Sequence, residues 1–179
     1  MKKAFILIPI ILIFCFWFWQ KARETRPQTK IVNSFEECQI AGYPVMESYP
    51  LQCRTPDGRT FIQEIGNELD KQNLIRVDEP RPNTTVNNPM MIKGQARGSW
   101  FFEGSFPISL IDKNGEEMGR AVAQAQTEWM TEDFVPFIAE LIYNPSSTTQ
   151  GWLILEKDNP SGLPVNADEL RLPVRFEPR

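Results

Sequence analysis

The chain has 179 residues, 23 acidic against 19 basic side chains for a formal charge of −4, and no histidine. The missing histidine excludes Ser-His-Asp and Cys-His catalysis and every histidine metal ligand, and the acidic balance argues against a general affinity for nucleic acid. Fifteen prolines against ten glycines favour strands and turns over long helices.

The first predicted element is apolar. After Met1, Lys2 and Lys3, residues 4–19 carry no charge. As a helix at 1.5 Å per residue they reach ~24 Å, a signal-sequence length that falls short of a hydrocarbon core. No Ala-x-Ala cleavage pattern follows, and Phe14 before Cys15 disfavours a lipid-modified cysteine. We read residues 1–20 as a signal anchor, a transmembrane helix with Trp17 and Trp19 at the membrane–water interface. Residues 21–33, with Lys21, Arg23, Arg26 and Lys30, form a basic linker. Basic residues on both flanks leave the orientation to the cysteines.

Cys38 and Cys53 are the only cysteines after the anchor. A pair in a small exported segment reads as a disulfide; two free thiols in a cytosolic protein is the alternative. Ser34 and Glu37 have capping-box spacing, and Gly42 is a helix stop, so a short helix over residues 35–41 carries Cys38. Thr55-Pro56-Asp57-Gly58 predicts a hairpin turn between residues 51–54 and 59–62, with Cys53 on the first arm. The bridge would staple helix to hairpin in a minidomain of residues 34–65. Residues 37–58 (ECQIAGYPVMESYPLQCRTPDG) also resemble a two-cysteine segment that recurs near the N-termini of bacterial envelope proteins, which implies export and a bridge.

Residues 66–73 (GNELDKQN) are polar and read as a linker. From 74 to 179 short alternating runs follow one another: Ile75 and Val77; Met90 to Ala96; Phe106, Ile108 and Leu110; Ala121 to Ala125; Phe137 to Tyr143; Trp152 to Leu155; and Leu170, Leu172, Val174 and Phe176. Asn114-Gly115 marks a hairpin tip. Seven or so short strands with no useful helical period predict a mainly β fold, an antiparallel β-sandwich.

Residues 94–107 (GQARGSWFFEGSFP), 129–137 (WMTEDFVPF) and 172–176 (LPVRF) resemble the immunoglobulin-like domain of bacterial spore-germination proteins, over about residues 74–176. The resemblance implies an exported immunoglobulin-like sandwich and no catalytic residues.

The candidate site lies in that segment. Trp100, Phe101 and Phe102 cannot all point to one face of a strand. Either a corner buries all three, or at least one lies outward as a partner anchor or a platform for a sugar ring. Glu103 either joins such a site or pairs with an arginine such as Arg97. Trp129 stands among Glu128, Glu132 and Asp133, which form a solvated loop or, as a remoter reading, a carboxylate pair for glycoside chemistry. Asp112-Lys113-Asn114-Gly115 lacks calcium-loop spacing and reads as a turn. Asn83-Thr84-Thr85 matches a glycosylation sequon by pattern.

Together these features predict a non-catalytic, membrane-anchored, extracytoplasmic binding or scaffold module of the bacterial cell envelope. It would need no cofactor or metal and would bind no nucleic acid. Its partners would be the membrane, through the N-terminal helix, and an envelope protein or cell-wall polymer, through Trp100, Phe101, Phe102, Glu103 and Trp129. The alternatives are an envelope protease inhibitor presenting residues 43–51 as a rigid loop, and a cell-wall-active enzyme.

Overall fold

The computed structural model describes residues 31–144 and 147–177. The expected membrane helix lies outside them; among the described residues no helix is long and apolar enough to cross a membrane. The chain divides into two compact units, up to Ile62 and from Gln63 onward.

The first unit is built around the cysteines. Helix α1 (Phe35–Ile40) starts where Ser34 Oγ accepts from the Glu37 backbone N–H, at 3.1 Å. The Glu37 carboxylate reaches back to the Asn33 N–H at 2.7 Å, one residue earlier than a capping box predicts. Gly42, at φ +82°, ends the helix: its N–H donates to Gln39 and that of Tyr43 to Cys38. Three strands follow, β1 (Val45–Met46), β2 (Gln52–Arg54) and β3 (Thr60–Ile62), in that order across one antiparallel sheet. The sequence pattern missed β1, which is only two residues long. The predicted turn joins β2 to β3, with Gly58 donating to Thr55. Register aligns Val45, Cys53 and Phe61, so one face of the sheet meets Phe35 and Cys38 of the helix in a single apolar cluster. Cys38 and Cys53 are bonded to each other, with Cα atoms 6.1 Å apart, and both are fully buried.

The second unit opens with α2 (Glu68–Lys71), followed by seven strands: β4 (Ile75–Glu79), β5 (Met90–Arg97), β6 (Ser105–Asp112), β7 (Glu117–Ala125), β8 (Phe134–Leu141), β9 (Gln150–Glu156) and β10 (Glu169–Arg175). All ladders are antiparallel, in the order β10-β9-β6-β7-β8-β5-β4. Only two residue pairs join β7 to β8, so the sheet folds there into two layers. Inward residues of both layers, such as Ile92 and Phe137 on one and Ile108, Leu155 and Leu172 on the other, share one core. This is the expected sandwich.

Residues 66–73 correct one expectation, because they are structured rather than a free linker. Asn67 lies along β10: its Nδ2 donates to the Glu169 carbonyl at 2.9 Å, and its Oδ1 accepts from the Arg171 N–H at 2.7 Å. Glu68 in α2 is buried and pairs with Arg81 at 2.6 Å. Burial pushes its carboxyl above the ordinary carboxylate range, and the Arg81 charge opposes that shift. Farther along β10, Arg175 donates to Thr84 and Val86 donates to Arg175, while Asn83 donates to Pro173. The Asn83 side chain itself donates to the Glu64 carbonyl.

Candidate functional site

Register brings three loops to one end of the sandwich. Arg97 opposite Phe134, Ser105 opposite Gln124, and Ile108 opposite Leu155 place the β5–β6, β7–β8 and β9–β10 connections side by side. Hydrogen bonds tie them together. Gly98 donates to Asp133, Ala125 to Gly104, and Asp158 to Trp100.

The β5–β6 loop resolves the three aromatics. A single 3₁₀ turn over Gly98–Trp100 rotates successive side chains away from strand alternation. Trp100 is 1% exposed, Phe101 is buried too, and Phe102 is 42% exposed. Phe101 packs edge-on against Phe106, which packs edge-on against Phe137. Trp100 and Phe101, expected among the partner-binding residues, therefore belong to the core, and Phe102 alone of the three stands at the surface. Trp100 Nε1 is buried without a hydrogen-bond partner, so packing holds that ring in place.

Phe102 and Ser105 exchange both backbone hydrogen bonds, at 3.0 and 3.1 Å, across a two-residue tip. Glu103 and Gly104 occupy that tip with φ of +51° and +75°. Such a turn favours Asn-Gly; a glutamate in this conformation costs on the order of 1 kcal/mol. A Cβ on Gly104 would lie 3.3 Å from Trp129 Cδ1, so the glycine lets the two loops touch. Arg97 does not pair with Glu103. Its guanidinium lies 4.2 Å from the Phe134 ring and donates to the carbonyls of Asn73 and Glu132. Among the described residues the Glu103 carboxylate has no hydrogen-bond or ion-pair partner.

Trp129 is half-buried against the core, and Met130 beside it is 73% exposed. The Glu128 carboxylate accepts from the Met130 N–H at 3.0 Å, and Thr131 Oγ1 accepts from the Asp133 N–H at 3.1 Å. The Glu128 carboxylate and the Thr131 hydroxyl thus shape their own loop. Asp112 likewise serves its turn, accepting from the N–H groups of Asn114 and Glu116. Among the described residues no group of three or more acidic or cysteine side chains is placed to hold a metal.

Sequence reasoning missed the third loop. Asn159 donates to the Leu163 carbonyl at 2.9 Å, Asn166 to Ser161 Oγ at 2.9 Å, and the Leu163 N–H to the same oxygen at 3.2 Å. Polar side chains are thus used within the loop while Leu163 and Val165 face solvent, at 56% and 86% exposure. Two apolar residues inside an Asn/Ser/Gly/Pro turn were the available signal. At the base of this loop an open cleft of about 610 Å³ is lined by Glu156, Asp158, Asp168 and Glu169 together with Lys157 and Asn159. Lys71 pairs with Asp168, and Arg171 pairs with Glu169.

Residues 74–162 match the family described as the immunoglobulin-like domain of bacterial spore germination. The match runs from the start of β4 into the β9–β10 loop, and β10 lies beyond it. No curated protein and no solved structure matches the chain.

Proposed function

Because residues 74–162 match the immunoglobulin-like domain of bacterial spore germination, we propose that the protein is a non-catalytic binding or scaffold module of the bacterial cell envelope. A hydrophobic N-terminal run tethers it to the membrane, and the described units lie outside the cytoplasm. The observation that carries the binding role is the loop end of the sandwich, where Phe102, Glu103, Trp129 and Met130 gather on two touching loops. The Cys38–Cys53 bridge supports the compartment, because such bonds persist in oxidising surroundings.

Mass analysis of protein extracted from membranes without reductant tests this placement. A bridged pair together with an intact Met1 or Lys2 is the expected result. Two free thiols would overturn the extracytoplasmic reading.

One observation favours a second reading, that of a protease inhibitor. In residues 43–51 the Ser48 N–H donates to Met46 at 2.9 Å and Ser48 Oγ donates to the Pro50 carbonyl at 2.7 Å. This holds a short loop with Tyr49 half exposed. A protease panel with no inhibition at high micromolar protein would remove that reading.

A further inference from the structure

We propose that the loop end of the sandwich docks a basic segment of a partner protein that carries an apolar side chain, a proposal that rests on reading this domain as a binding module. Each of the three linked loops puts large apolar side chains into solvent: Phe102 on the first, Met130 on the second, Leu163 and Val165 on the third. The connections at the opposite end, residues 80–89, 113–116 and 142–149, expose only Ile142 among their described large hydrophobics. An apolar patch gathered at one end of a molecule marks a surface that something covers. The third loop is already ordered by Asn159, Ser161 and Asn166, so docking costs it little further conformational entropy.

Charge selects the partner. Glu103, Glu128, Glu132 and Asp133 stand around the first two tips. At the base of the third, Lys157 lies between Glu156 and Asp158 and offsets one of the two charges, so the acidic excess belongs chiefly to the first two loops. Arg97, at the edge of the first loop, is committed to the Phe134 ring and two carbonyls. The surface therefore complements positive charge and disfavours anionic polymers and anionic lipid. Phe102 directly before Glu103 suits a lysine or arginine, whose cation sits over an aromatic ring and beside a carboxylate. A neutral glycan would draw on the rings but not on the acidic excess.

Fluorescence anisotropy on the purified full-length chain tests this with two labelled octapeptides, alternating Leu-Lys and alternating Leu-Glu. The basic peptide should bind more tightly by roughly tenfold or more, and its affinity should fall with added salt. Phe102→Ser, Glu103→Lys and the double variant Leu163→Ser with Val165→Ser should each weaken it by roughly fivefold or more, with an unchanged unfolding midpoint. Equal affinity for both peptides, binding indifferent to these variants, or no binding of the basic peptide at millimolar concentration overturns the proposal. A chitooligosaccharide bound in its place, and lost with Phe102→Ser, overturns the basic partner yet keeps the loop end as a binding surface. Failure of all three probes removes both.

Discussion

Trp100 and Phe102 are two residues apart in one loop, and their exposures are 1% and 42%. Removing the indole leaves a cavity in a core that cannot collapse around it, so Trp100→Ala should cost about 3–5 kcal/mol. Phe102→Ala should cost less than about 1 kcal/mol, because the ring already faces water. Chemical denaturation of both variants checks this, and similar losses would place Phe102 in the core. Glu68 gives a second residue-scale test. Its folded pKa lies above the unfolded value because burial disfavours the charge. The folded state therefore holds the proton to higher pH than the unfolded chain does. The stability of the native protein relative to Glu68→Gln should fall as pH rises from 4.5, the ordinary value, through the raised folded pKa, and should then level off. Unfolding midpoints of both proteins between acid and neutral pH measure that difference; a difference that grows with pH would refute the assignment.

At the scale of elements, β10 illustrates how an edge strand is protected. An edge presents unpaired backbone groups that invite pairing with another chain. Here Asn67 occupies one stretch of that edge with its side-chain amide, and residues 83–86 occupy the next. On β4 the Val77 carbonyl accepts from Arg81 at 2.7 Å. Asn67→Ala should cost about 1–2 kcal/mol through the backbone groups it leaves without partners. It should also speed amide exchange at Arg171 while leaving Leu155, deep in the core, protected. Unchanged exchange at Arg171 would show that the Asn67 clamp does not guard the edge.

At the scale of the whole molecule, the two units draw on different sources of stability. The second has one continuous core from both layers of its sandwich. The described residues of the first include few buried apolar side chains and rely on the bridge between residues 38 and 53, whose closure contributes about 3 kcal/mol by chain entropy. Reduction, or Cys38→Ser with Cys53→Ser, should therefore lower the unfolding midpoint of residues 31–62 and leave that of residues 63–177 in place. Calorimetry with and without reductant reads both. A lowered midpoint for the second unit alone would contradict this division.

The sequence by itself determined the strand pattern, the hairpin turns, the helix cap at Ser34 and the cysteine pair, because each follows from local periodicity, turn chemistry or spacing. It also drew attention to residues 100–103 and to Trp129. It could not sort those aromatics, because a 3₁₀ turn broke the alternation on which the argument rested. Nor could it show that residues 66–73 clamp a strand a hundred positions later. The gathering of three loops at one end likewise came only from the register of β5 with β8 and of β6 with β7 and β9. Those decisions belong to the tertiary structure because they depend on pairings distant in sequence, which no local pattern encodes.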